Sequence, residues 1–160
     1  SEDLDRQVET QPLLRQLVES LSVPVIAAGG IANAQGVKTA MAMGAAGAQV
    51  GTAYLLCDEA TTSPVHRAAL KSEAARYTAL TNLFSGRPAR GIVNRAMREI
   101  GPMNPQAPAF PLASRAVGPL RSAAEGRGVG DFSPLWAGRN VSGCREISAA
   151  ELTQSLAVQL

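Results

Sequence analysis

Aromatic residues are scarce in this chain of 160 residues, in which phenylalanine, tryptophan and tyrosine together make up 4%. Few aromatic rings leave few stacking surfaces for unpaired bases, and a formal net charge of +2 is too small to attract a nucleic acid. Apolar runs are short as well, since none approaches the roughly 18 residues of a membrane span. Neither a nucleic acid nor a membrane is therefore an expected partner.

Cysteine and histidine are also rare. Cys57 and Cys144 lie too far apart for a metal-binding or redox motif, so we predict two buried free thiols and no metal site. His66 is the single histidine, and its position in a predicted helix favours packing over catalysis. The first ten residues, SEDLDRQVET, are acidic and polar and do not resemble a secretory signal. A cytoplasmic protein is the default expectation.

The first third of the chain has the pattern of a parallel α/β protein. Apolar residues at helical spacing predict an amphipathic helix over residues 12–21. The continuous apolar run at 23–28 predicts a strand that is buried on both faces. Asn33 is a suitable N-cap for a helix over 34–43, and AGAQV at 46–50 predicts a second strand. Strand, helix and strand at this spacing indicate a βαβ unit with parallel strands.

The rest of the chain gives weaker signals. Ser63, followed by Pro64, predicts the start of a helix over residues 64–76. The proline-rich stretch 101–119 predicts loop or extended chain. Ser148 and Glu151 form a capping box ahead of a C-terminal amphipathic helix.

Two parallel strands are too few for a stable sheet. The chain also begins without methionine, directly before a predicted helix. We therefore expect it to be the later part of a larger α/β barrel, whose earlier half is needed for function.

Each predicted strand ends in a loop of small residues that opens a helix: AAGGIAN after the first strand and QVGTAY after the second. Neighbouring parallel strands place such loops side by side, where bare backbone amides can hold a phosphate. Gly29 and Gly30 provide the bare backbone of the first loop and Gly51 that of the second, with Gln49 and Thr52 as polar neighbours. The alternative is that Gly29 and Gly30 merely form a tight turn. A dinucleotide site is disfavoured, because no G-x-G-x-x-G follows a strand.

Three stretches carry a family resemblance. PVIAAGGIANAQGVKTAMAMGAAGAQVGTAYL resembles the phosphate-binding segment of the FMN-dependent nitronate monooxygenases, formerly called 2-nitropropane dioxygenases. TALTNLFSGRPARGIVN resembles a more specific segment of that family, and LWAGRNVSGCREISAAEL resembles its C-terminal tail. Together these stretches extend the resemblance over essentially the whole chain.

The resemblance implies the C-terminal part of a (β/α)₈ TIM barrel with a smaller, mostly helical second domain. The last βα units of the FMN-binding barrel would occupy residues 1–76, the smaller domain 77–130, and a tail that packs back on the barrel 131–160. The residues that match the family's phosphate-binding positions are Gly29, Gly30, Gln49, Val50, Gly51 and Thr52.

The activity implied by the resemblance is the oxidation of an alkyl nitronate by O₂, which yields a carbonyl compound and nitrite. The family's active-site histidine lies on an earlier segment that nothing in this chain matches. No catalytic residue is therefore predicted here, and the role is not transferred to His66. The alternatives are a flavin-dependent enoyl-acyl-carrier-protein reductase, which would use NAD(P)H, and a non-catalytic barrel fragment.

Four arginines crowd into one short stretch: Arg87, Arg90, Arg95 and Arg98. They predict either an anion site for an acidic cofactor or substrate, or a solvated face whose arginines pair locally.

Overall fold

The structure is a computed structural model and describes residues 8–158. In chain order its helices and strands are α1 (Thr10–Ser20), β1 (Ile26–Ala28), α2 (Ala34–Ala42), β2 (Gly47–Gln49), α3 (Pro64–Leu70), β3 (Thr78–Thr81), β4 (Ala89–Ile92), α4 (Arg95–Ile100), α5 (Leu112–Glu125) and α6 (Ala149–Ala157). Two short 3₁₀ helices, Thr52–Leu56 and Glu73–Arg76, complete the set. None of the helices in residues 8–158 is long and apolar enough to cross a membrane.

The chain divides into two compact units. The first, here called the parallel-sheet unit, consists of residues up to Ala60 together with residues from Ser142 onward. The second, the hairpin unit, is Thr61–Val141. The expected three-part division of the chain concerns its place in a larger barrel and stays a prediction.

The parallel-sheet unit contains the predicted βαβ arrangement. β1 and β2 pair in parallel, with Ile26 opposite Gly47 and Ala28 opposite Gln49. Asn33 accepts a hydrogen bond from the Gly36 amide at 2.9 Å and so caps α2, as predicted. The prediction of parallel strands joined by a capped helix is confirmed.

Burial of the first strand on both faces was a wrong prediction. Only Ala27 of β1 is buried, whereas Ile26 is 65% exposed and Val23, just before the strand, is 61% exposed. The sheet formed by the described residues has only two strands, too few to bury β1 on both faces. A two-stranded sheet without further layers is marginally stable in water.

The core of the parallel-sheet unit packs residues that precede the hairpin unit against residues that follow it. α2, the 3₁₀ helix after β2 and α6 contribute a cluster of buried residues: Val37, Ala53, Cys57, Leu152 and Leu156. The Ser148 hydroxyl accepts a hydrogen bond from the Glu151 amide at 3.1 Å, which confirms the N-cap half of the predicted capping box. The Glu59 carboxylate accepts a second one from the Ala149 amide at 2.8 Å. The first turn of α6 is thus anchored to the segment that precedes the hairpin unit.

The hairpin unit is built around an antiparallel strand pair that the sequence did not predict. β3 and β4 pair with Thr78 opposite Ile92 and Thr81 opposite Ala89. Phe84, Ala96 and Met97 form the adjacent core. The sequence of β4, ARGI, combines glycine and arginine, which are poor predictors of a strand, so its pairing is set by tertiary contacts.

Two predictions for this unit need correction. The helix predicted over 64–76 ends at Leu70, because Lys71 and Ser72 form a turn before the 3₁₀ helix. The loop predicted over 101–119 is wrong from residue 112 onward, where α5 begins and runs through Pro119. Proline lacks the amide of a helical hydrogen bond, yet the helix continues past it, with Val117 packed against the core.

Candidate functional site

The two predicted phosphate loops start from neighbouring positions. Because Ala28 pairs with Gln49, the loops that follow β1 and β2 leave the same edge of the sheet at the same level. Gly29 and Gly30 therefore begin beside Val50 and Gly51. The structure thus brings together the loops that the sequence could only suggest as neighbours.

The three loop glycines differ in backbone conformation and in the space around them. Gly29 has φ +107°, and a Cβ there would meet the Thr10 hydroxyl at 3.0 Å, so its requirement includes packing against α1. Gly30 has φ +73°, and a Cβ there would enter open space. A Cβ at Gly51 would also enter open space, although the φ of Gly51, −115°, is ordinary for any residue. Gly30 and Gly51 are therefore exposed positions where the space of a side chain stays open.

The remaining predicted site residues take separate positions. Gln49 is exposed at the end of β2, whereas the side chain of Val50 packs into the core and leaves only its backbone for a ligand. Thr52 starts the 3₁₀ helix. The first loop opens α2, which is capped by Asn33, and the second opens a five-residue 3₁₀ helix. The loops, more than helix dipoles, would therefore hold an anion.

A third segment, which the sequence did not single out, packs against both loops. A Cβ on Gly143 would collide with the carbonyl oxygen of Ala32, at the end of the first loop, and would lie 3.1 Å from the Cβ of Ala53. The neighbouring Cys144 thiol donates a hydrogen bond to the Thr52 carbonyl at 3.2 Å. Burial raises the pKa of the Cys144 thiol to about 11, so the thiol keeps its proton and remains a donor.

The single histidine lies in the hairpin unit, where it serves packing. His66 is 9% exposed in α3, and its Nε2–H donates a hydrogen bond to the Trp136 carbonyl at 2.9 Å. Burial lowers the pKa of His66, the carbonyl opposes that shift, and nearby Arg121 adds to it. The residues that the structure describes contain no group of three potential metal ligands.

The lowered pKa of His66 predicts how stability depends on pH. The unfolded chain binds a proton near pH 6.5 and the folded chain only at lower pH, so stability falls as pH drops through about 6.5. We expect a smaller free energy of unfolding at pH 5.5 than at pH 7.5, measured by urea denaturation. His66→Gln, which keeps a donor for the Trp136 carbonyl, should reduce that difference. An unchanged difference in the variant would assign the pH dependence to other groups.

The four clustered arginines do not form one anion site. Arg87 lies over the Phe110 ring at 5.0 Å. Arg95 bonds Glu99 at 2.8 Å, and Arg98 is exposed in the last turn of α4. Arg90 alone turns to the β-hairpin, where it donates to the Thr78 carbonyl at 3.1 Å.

The sequence profile of the family described as nitronate monooxygenase matches residues 2–159. The chain belongs to the nitronate monooxygenase family. Its resemblance to that family, expected from three stretches of sequence, is therefore confirmed.

Relatives and solved structures agree on the family. The nitronate monooxygenase of Pseudomonas aeruginosa is 41% identical over 157 residues, covering 98% of this chain and 45% of that protein. The nitronate monooxygenase of Paraburkholderia phytofirmans is 38% identical, with 98% and 43% covered. The chain thus spans less than half the length of these relatives.

Among solved structures, the nitroalkane oxidase of Streptomyces ansochromogenes superimposes with a TM-score of 0.90 at 40% identity, covering all of this chain and 46% of that one. FabK of Thermotoga maritima gives a TM-score of 0.70 at 27% identity, with 96% and 49% covered. This member of the nitronate monooxygenase family is therefore more similar to the nitroalkane oxidase than to FabK.

Proposed function

We propose that this chain supplies the FMN phosphate-binding part of an enzyme that oxidises alkyl nitronates with O₂ to a carbonyl compound and nitrite. The observation that carries the proposal is the open space at the side-chain positions of Gly30 and Gly51, on neighbouring loops, in a chain of the nitronate monooxygenase family. The rest of the barrel would contribute the catalytic group, and the chain would form the C-terminal part of a (β/α)₈ barrel.

The residues of the two loops fit a phosphate group. Open space lies where a Cβ of Gly30 or Gly51 would stand, so an anion can approach the backbone there. The backbone of Gly29 and Val50 and the hydroxyl of Thr52 complete the proposed contacts, and Gln49 is exposed beside them. FMN, when bound, supplies the redox chemistry of the reaction. This chain's part is to fix the phosphate end and so orient the flavin.

Gly51→Ala is expected to weaken FMN binding without destabilising the protein. Since nothing lies within 4 Å of the new Cβ and the backbone φ is ordinary, we expect little change in stability. The methyl group would nevertheless occupy the proposed phosphate position and weaken FMN binding by about tenfold or more, the scale of a lost hydrogen bond to a charged group. Titration of FMN, followed by the change in flavin fluorescence, measures the dissociation constant.

Gly36→Ala is the matched control. Gly36 lies in α2 of the same unit, and its new Cβ would make an ordinary contact of 3.4 Å with the Ile31 side chain. We expect unchanged FMN binding and a slight gain in stability, up to about 1 kcal/mol. If Gly51→Ala bound FMN as tightly as Gly36→Ala, the second loop would not hold the phosphate.

Activity is tested by complementation. The chain is produced alone and together with the part of the Pseudomonas aeruginosa relative that it does not match. We expect bound FMN and nitronate-dependent oxygen uptake in the complemented sample. Rapid reduction of the flavin by NADH or NADPH, without nitronate oxidation, would instead favour the reductase alternative, which the likeness to FabK keeps open.

A further inference from the structure

The hairpin unit contains an open depression. Its volume is about 570 Å³, within the range of small-molecule sites. Three of its six lining residues are arginines, and none of the six carries a carboxylate: Arg76, Tyr77, Thr78, Arg90, Val93 and Arg139. The depression therefore has a strongly cationic lining.

Arg90 is the decisive residue of this lining. It is partly buried on β4, and one terminal nitrogen donates to the Thr78 carbonyl at 3.1 Å and to the Thr78 hydroxyl at 3.4 Å. Within residues 8–158, no carboxylate lies within salt-bridge distance of its guanidinium. Burial lowers the pKa of Arg90, and the charge of Arg139 lowers it further. A partly buried cation beside a like charge is stabilised by an anion.

The other two arginines add charge from the rim. Arg139 is exposed and close enough to Arg90 to act on its charge. Arg76 pairs with Glu73 at 3.2 Å, but both side chains are more than 70% exposed. An exposed ion pair contributes little, so Arg76 can turn to a competing anion at small cost.

Tyr77 presents an aromatic ring beside these charges. The residue is 70% exposed, although its backbone is fixed by hydrogen bonds with Val93 at 2.8 Å and Ala74 at 2.9 Å. A large exposed ring on a fixed backbone offers a surface on which a planar group can lie.

We propose that this depression binds an anion carrying phosphate groups, with Arg90 and Arg139 as its main partners and Arg76 at the rim. A guanidinium group can donate two parallel hydrogen bonds to two oxygens of a phosphate group. Several arginines together suit a ligand that carries several negative charges. Inorganic pyrophosphate and a nucleotide share this chemistry. A nucleotide would also place its base on Tyr77.

Calorimetric titration of the whole chain tests the proposal with pyrophosphate, ADP and adenosine, using acetate at matched ionic strength as the control anion. We expect pyrophosphate to bind and acetate not to compete. Tighter binding of ADP, lost in Tyr77→Ala, identifies a nucleotide site, whereas equal binding identifies a site for inorganic phosphates. Absence of pyrophosphate binding, or equal competition by acetate, would overturn the proposal.

Variants locate the binding. Arg90→Gln and Arg139→Gln should each weaken pyrophosphate binding by about tenfold or more, whereas Arg98→Gln, outside the depression, should not. Because Arg90 also bonds Thr78 of β3, Trp136 fluorescence verifies that each variant protein is folded. Equal losses in Arg98→Gln and Arg139→Gln would show unspecific attraction and refute the assignment.

Discussion

Gly143→Ala is expected to destabilise the parallel-sheet unit by about 3 kcal/mol, the upper end of the usual range for overpacking. The new Cβ would collide with the Ala32 carbonyl oxygen, lie 3.0 Å from the Ala32 carbonyl carbon and lie 3.1 Å from the Ala53 Cβ. Two of these three atoms are backbone, so no side-chain rotation relieves the contact. Faster hydrogen exchange of the α2 and α6 amides would measure the loss.

Gly47→Ala is the control for this experiment. Gly47 lies on β2 in the same unit, and the nearest atom to its new Cβ is a carbon of Ile26 at 4.0 Å. We expect a change of about 0.5 kcal/mol or less. If the α2 and α6 amides of Gly143→Ala exchanged no faster than those of Gly47→Ala, the segment around Gly143 would not be tightly packed against the loops. If it does exchange faster, weaker FMN binding should accompany the loss, since the displaced atoms adjoin both glycine loops.

Asn94→Ala is expected to cost the hairpin unit about 2–4 kcal/mol. Asn94 is 5% exposed, and its Oδ1 accepts a hydrogen bond from the Met97 amide at 3.3 Å, which caps α4. Its Nδ2 donates to the carbonyls of Gly130 at 3.1 Å and Ser133 at 2.9 Å. The loss of a cap costs about 1 kcal/mol, and a buried carbonyl left without a donor costs about 1–3 kcal/mol.

Asn94→Ser divides this cost into its parts. Serine can still cap α4 but cannot reach both carbonyls, so it should recover about 1 kcal/mol relative to alanine. Trp136 is the only tryptophan of the sequence and packs edge-on against Phe84 at 6.0 Å, so its fluorescence during urea denaturation reports on this unit. Equal stability of the serine and alanine variants would mean that the cap contributes nothing.

The features predicted correctly from the sequence are local ones. Asn33, Ser63 and Ser148 each accept an amide hydrogen bond from three residues further along the chain, a contact that the sequence pattern itself encodes. Asn94 makes the same contact before α4 and could have been found by the same signal. Its two bonds to distant carbonyls could not.

The features missed from the sequence depend on distant partners. β4 pairs with β3, and its Gly91 also forms a β-bridge with Trp136. The β4 sequence, ARGI, has no alternation of polar and apolar residues that would predict these pairings. Gly143 is required by Ala32, more than a hundred positions earlier, so no local pattern marks it. The prediction of a strand buried on both faces at 23–28 was wrong for a related reason, since burial is decided by neighbouring layers and not by the strand itself.

The segment before the hairpin unit and the segment after it are held side by side. The Asp58 amide donates to the Ile147 carbonyl at 3.2 Å, next to the bond between Glu59 and Ala149. The two chain segments that flank Thr61–Val141 are therefore joined to each other by hydrogen bonds within the parallel-sheet unit. Proteins tolerate the insertion of a domain best where the two chain segments that flank it lie close together, as these two segments do.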